Sequence, residues 1–75
     1  MNRFSERLKE LRIEKGQDQR TVAKNIGLSQ SAIAQWENNK RTPNADAIIV
    51  LADYFDVTTD YLLGRVDIAG AKIKP

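Results

Sequence analysis

Cysteine and histidine are both absent from the 75 residues. Without cysteine there are neither disulfide staples nor thiolate metal sites. Without histidine the chain lacks the usual acid-base group of neutral pH and the commonest metal ligand. Long apolar runs are missing too. The longest, Ala47 to Ala52, is far too short to span a bilayer, and the opening MNRFSERLKE has no apolar centre of a signal peptide. No membrane is implied, and the expected compartment is the cytoplasm. A chain of this length makes one domain with a modest core, near the lower limit for folding without staples. These absences suit a small binding module better than an enzyme.

Net charge is small but uneven in distribution. The formal net charge is +2. Residues 1–41 hold nine Lys/Arg against five Asp/Glu, whereas residues 42–75 hold three against five. A basic half is what a face that meets phosphates requires.

The pattern along the chain gives five short helices and no strand. Phe4, Leu8 and Leu11 recur at helical spacing among charged residues, and Gly16 follows as a stop, so the first helix runs from about Asn2 to Lys15. Asp18 can cap a second helix that ends at Ile26, and Ser29 a third that ends near Asn38, with Asn39 at the C′ position. Asn44 can cap a fourth, whose Ile48, Leu51, Ala52 and Phe55 form one apolar stripe. Thr58 can cap a short fifth ending near Gly64. The stretch from Arg65 to Pro75 carries no amphipathic pattern and is expected to be loosely ordered.

Within this layout the segment from Gln19 to Lys40 has a definite geometry. Counting Gln19 as the first position, the small Ala23 is fifth, Gly27 ninth, and Val22, Ile26, Leu28, Ile33 and Trp36 are fourth, eighth, tenth, fifteenth and eighteenth. A small residue lets two helices cross closely, and a glycine after the first turns the chain through a left-handed conformation at almost no steric cost. This is a helix-turn-helix pattern. Trp36 falls in its apolar series and is therefore read as a core residue, not as a platform for stacking bases.

Together with LKELRIEKG before it, WENNKRTP after it and a closing DYLL, the segment resembles the Xre-type helix-turn-helix family, which includes Cro proteins and lambdoid phage repressors. The likeness covers about residues 4–64. It implies an all-α, compact five-helix bundle with the third helix in the DNA major groove. By this resemblance Gln30, Ser31 and Gln35 match base-reading positions, and Gln19 matches a residue that touches phosphate and braces the Gln30 position. Arg12 and Glu37 match a largely buried ion pair between the first and third helices. The side-chain chemistry agrees independently, since Gln can donate to and accept from the N7 and N6 edge of adenine and Ser can bond to several bases. Asn38, Lys40 and Arg41 follow the helix and would reach the backbone, which positions without reading sequence.

Three residues depart from the family pattern. Gln17 stands where an apolar residue is usual and is expected to weaken packing at the start of the second helix. Asp18 replaces the usual Ser or Thr; it suits the helix dipole but lies near the expected path of a phosphate and would repel it. Asp56 takes a common glycine position, and aspartate tolerates left-handed geometry better than most residues.

No catalytic constellation emerges, for the serines have no basic partner and Asp46, Asp53, Asp56 and Asp60 read as caps and exposed helix positions. The expectation is therefore a bacterial or phage transcriptional regulator, a repressor that binds double-stranded DNA sequence-specifically, with no metal or cofactor. Residues 1–64 form its DNA-binding domain and 65–75 its tail. A homodimer, at least on DNA, would meet an inverted repeat, by analogy with phage repressors through Val57, Thr58, Tyr61 and Leu62, with Val50 and Tyr54 as a second candidate surface; Tyr61 and Leu62 could instead close the monomer core. The alternative is an antitoxin or protein-interaction module built on the same fold. The polar reading face beside Lys40 and Arg41 favours DNA.

Overall fold

The computed structural model describes residues 2–66, so that of the tail expected at 65–75, residues 67–75 lie outside the described residues. The described residues form five helices: α1 Asn2–Glu14, α2 Gln19–Ile26, α3 Gln30–Glu37, α4 Ala45–Phe55 and α5 Thr59–Leu62. Among the described residues there is no strand.

Local chemistry sets both ends of these helices. The side chains of Asp18, Ser29, Asn44 and Thr58 each accept a hydrogen bond from the main-chain N–H three residues on, which satisfies one of the orphan donors at the start of α2 to α5. At the other ends, Gly16, Gly27, Asn39, Asp56 and Gly64 all have positive φ, between 55° and 82°. After each of them, the next residue's N–H reaches back to the carbonyl five residues earlier, as in Leu28 to Ala23 at 2.9 Å and Lys40 to Gln35 at 2.8 Å. Every helix thus ends in the same left-handed wrap, which returns the chain toward the bundle within two or three residues. Asn39 and Asp56 fill this role without being glycine, because their short polar side chains tolerate the conformation.

Packing follows from the stripes. Phe4 and Leu8 of α1, Val22 and Ala23 of α2, Ile33 and Trp36 of α3 and Leu51 and Ala52 of α4 meet in one core, closed by Val57 and Leu62. α3 lies between α1 and α2, and α5 packs against α1 and α4. Ala23, 2% exposed, lies within this core.

Gln17 corrects one expectation. Its side-chain oxygen accepts a hydrogen bond from the Tyr54 hydroxyl, which in turn accepts from Asn25 Nδ2 at 2.9 Å. The start of α2 is therefore held to α4 by polar contacts where an apolar one was expected to be missed.

Two glycines separate backbone strain from collision. A Cβ at Gly27 would meet nothing within 4 Å, whereas one at Gly64 would fall 2.2 Å from Arg3 Cβ on α1. Gly27→Ala should cost only the left-handed strain, about 1–2 kcal/mol. Gly64→Ala should cost distinctly more, because Arg3 Cβ is fixed to the helix backbone and cannot swing aside. Urea unfolding of the two variants measures the difference, and equal losses would contradict it.

Candidate nucleic-acid interface

The third helix is anchored from behind before anything can be read with its front. Ile33 is fully buried and Trp36 nearly so, which fixes the rotation of α3 about its axis. The buried Ser5 of α1 donates its hydroxyl to the Trp36 carbonyl at 2.6 Å, with the Asn39 side-chain oxygen 3.4 Å away. The Trp36 carbonyl, which also accepts from the Asn39 N–H at 3.2 Å, is thereby tied to α1.

The next residue, Glu37, joins three helices. Arg12 grips its carboxylate in a two-pronged pair, Nε to Oε2 at 2.6 Å and Nη2 to Oε1 at 3.0 Å. The Glu37 side chain is 3% exposed and that of Arg12 14%. Arg12 also donates through Nη1 to the Gln17 carbonyl at 2.9 Å, tying the α1–α2 turn into the same knot. The hydrogen bond to Glu37 pushes the Arg12 pKa up; burial opposes this, and the attraction of the Glu37 charge adds to it.

Gln19 belongs to this knot too. Its Nε2 donates to Glu37 Oε1 at 3.2 Å, so its amide contacts Glu37 and not Gln30, where the family likeness would put it. The physical reason is the acceptor, since a desolvated carboxylate binds a nearby N–H more strongly than a neutral amide does.

The opposite face of α3 is polar and uncharged. Gln30 and Ser31 are exposed, and Gln35 is partly so, its Nε2 donating to Ser31 Oγ at 3.1 Å. Ala34 lies half-buried on the same side. Asn38, Lys40 and Arg41 are exposed on the segment that follows, and neither basic residue pairs with a carboxylate among the described residues. The geometry brings a short neutral row and two free cations onto adjacent surface. At the start of α2, fully exposed Asp18 is held ionised below the ordinary carboxylate range by hydrogen bonds from Thr21, first its side chain and then its N–H. Its helix cap is present above the ordinary carboxylate value and is lost as pH falls through the lower folded value.

The residues expected at a dimer surface divide. Val57 and Leu62 are 4% and 0% exposed. With only four residues in α5, its single buried apolar side chain, Leu62, and the preceding Val57 are both used to close the core, and neither offers area to a partner. Thr58 caps α5, and Tyr61 is half-buried with the Arg7 guanidinium 3.9 Å above its ring. Val50 is exposed on α4, beside the more exposed Ile49.

Arg7 is a residue that sequence reasoning passed over as one charge among many. It is 7% exposed and its Nη1 donates to the carbonyls of Tyr61 and Val66 at 2.8 and 2.9 Å. The signal was available, because Arg7 lies three residues after Phe4 and four before Leu11, within the apolar stripe.

Comparison with known proteins agrees with this geometry. The sequence profile of the Helix-turn-helix family HTH_3 matches residues 8–62. The chain is 31% identical over 66 residues to the HTH-type transcriptional regulator ImmR of Bacillus subtilis (strain 168), covering 88% of this chain and 52% of that protein. It is 34% identical over 61 residues to Repressor protein C2 of Salmonella phage P22, covering 81% of this chain and 26% of that one. The chain thus spans about half the length of the first relative and about a quarter of the second. Among solved structures, the restriction-modification controller protein C.AhdI from Aeromonas hydrophila is similar at a TM-score of 0.75 and 34% identity, covering 81% of this chain and 92% of that one.

The buried pair gives a stability test. Glu37→Ala should destabilise the fold by about 3–5 kcal/mol, because the Arg12 charge is left buried and unpaired. Replacing both partners by Met should recover much of that loss. A urea midpoint for Glu37→Ala within about 0.5 kcal/mol of wild type, the scale of an unremarkable surface change, would mean that the pair is no anchor.

Proposed function

The chain belongs to the Xre-type helix-turn-helix family, and we propose that it is a sequence-specific regulator of transcription that lays α3 in the major groove of duplex DNA. The observation that carries this reading is the two-sided character of α3. Its back is locked by Trp36, Ser5 and the Arg12–Glu37 pair, while its front presents Gln30, Ser31 and Gln35 to solvent beside Lys40 and Arg41. A locked helix with an uncharged polar front is suited to reading base edges, and the flanking cations to gripping phosphates. The protein acts as a binding module and catalyses nothing. Among the described residues no helix is long and apolar enough to cross a membrane, and the proposed site of action is the cytoplasm, where the operator lies.

Repression is the proposed direction of control. Occupying a promoter is enough for it, whereas activation needs a further contact with polymerase. Likeness to a phage repressor protein supports the same choice.

The distinction between reading and gripping can be measured. Gln30→Ala should cost about 1–3 kcal/mol on the preferred duplex and relax the preference at one base pair. Lys40→Ala and Arg41→Ala should weaken preferred and random duplexes alike, each making the logarithmic salt slope shallower by about one unit. Titrations at several salt concentrations check both. An equal loss on all sequences for Gln30→Ala would remove it from the reading face, and an unchanged slope would leave the two cations in solvent.

We propose further that two copies bind together. One short helix reads only a few base pairs, and the small basic excess limits what phosphate attraction adds, so one copy discriminates poorly among competing sites. A twofold pair would meet an inverted repeat with half-site centres roughly 10 bp, or a multiple, apart. With Val57 and Leu62 taken by the core, the surface proposed for the contact is Tyr61 and Thr58, with Val50 as the second possibility. Sedimentation of wild type and Tyr61→Glu with duplex should show a two-to-one complex lost in a folded variant. A wild-type monomer that holds one half-site at full affinity would refute the dimer.

A further inference from the structure

Of the three expected reading residues, two touch each other. Gln35 Nε2 lies 3.1 Å from Ser31 Oγ, one helical turn back, while Gln30 makes no side-chain hydrogen bond among the described residues. Helical side chains lean toward the N-terminus, so this contact carries the Gln35 amide over the turn that bears Ser31 and gathers the polar groups at the leading end of α3.

We propose that Ser31 and Gln35 act as one coupled reading unit, in which each biases the hydrogen-bonding sense of the other toward DNA. The inference rests on the reading of α3 as a major-groove helix. A serine hydroxyl on its own is ambivalent, with one proton to give and two lone pairs to offer. Once Gln35 occupies one lone pair, Ser31 keeps its proton and a single lone pair, so the balance of what it can offer outward moves from accepting to donating. Ser31 then favours bases that present acceptors in the major groove, which are the purine N7, guanine O6 and thymine O4, over the amino group of cytosine. Gln35 has spent one N–H on Ser31 and keeps the other together with Oε1. That remaining donor and acceptor match N7 and N6 of adenine. Neither residue alone holds this arrangement. Without Ser31 the Gln35 amide is free to rotate, and without Gln35 the serine has both lone pairs, not one, to turn to cytosine.

The test is a double-mutant cycle on the preferred duplex and on its single base-pair variants. The proteins are wild type, Gln30→Ala, Ser31→Ala, Gln35→Ala, Ser31→Ala/Gln35→Ala and Ser31→Thr, each confirmed folded by its melting curve. Ser31→Ala should relax preference at the base pair read by Gln35 as well as at its own, and Gln35→Ala should let cytosine be accepted opposite Ser31. The loss in the double variant should fall short of the product of the single losses by about threefold or more, the signature of contacting residues. Ser31→Thr, which keeps the hydroxyl, should retain preference at the Gln35 position. Losses that simply multiply, with each substitution confined to its own base pair, would overturn the coupled unit even though Gln30→Ala still relaxes its own position and the DNA reading stands. Wild-type protein with no preference among duplexes would overturn both.

Discussion

A reading helix is useful only if its orientation survives the pull of the groove, and here that orientation depends on the Glu37 carboxylate. A negative charge in the last turn of a helix opposes the helix dipole, whose negative end lies there, and α3 has no basic residue in that turn to offset it. Burial to 3% raises the cost further. The charge is tolerable only because Arg12 reaches it from α1 with two hydrogen bonds and Gln19 from α2 with a third. The consequence is mutual dependence. α3 is held where α1 and α2 place it, and the guanidinium that holds it also grips the Gln17 carbonyl between those two helices.

From this knot the rest of the framework can be followed outward. Ser5 bonds the end of α3 to α1, Arg7 bonds α1 to the carbonyls of Tyr61 and Val66, and Tyr54 bonds α4 to the turn before α2. α1 is thus the common support of α3 and of α5. Its own outer residues are ordinary charged positions, while the inner ones carry a serine and two arginines in addition to the apolar stripe. Polar residues in a core this small are tolerable because each finds its partner. Among the described residues no buried side-chain nitrogen or oxygen lacks one.

How much of this was legible in the sequence depended on the range of the interaction. The caps Asp18, Ser29, Asn44 and Thr58 act on the N–H three residues later, and the left-handed residues from Gly16 to Gly64 act on their own helix ends, so helix limits could be read to within a residue or two. The spacing of Ala23, Gly27, Ile33 and Trp36 carries the crossing of α2 and α3 for the same reason. By contrast, the partners of Arg7 lie 54 and 59 residues away and are main-chain carbonyls, which any residue possesses and no pattern marks. Val57 and Leu62 are placed at the surface by analogy with phage repressors, and an apolar residue near a short helix reads equally well as surface or core. In so short a helix those residues are needed to shut the core. Gln17 looked like a lost contact because its partner, Tyr54, becomes its neighbour only when α4 folds back.

Electrostatics decide how such a site would divide affinity from specificity. Attraction of Lys40 and Arg41 to phosphate, as proposed, would act on every sequence alike, and so would repulsion by Asp18, whose ionised form its own helix cap stabilises. Both change the affinity for right and wrong sites by the same factor and leave their ratio untouched. In the proposed reading the ratio would rest on the neutral row Gln30, Ser31 and Gln35, whose hydrogen bonds would distinguish one base edge from another. A repelling carboxylate at the start of α2 would therefore cost binding strength without costing discrimination, and it would lower the time lost on random DNA. What it removes must be restored by a term that also depends on sequence. Doubling the reading row across a twofold axis is such a term, because the second copy adds its contacts only where a second half-site lies at the right spacing.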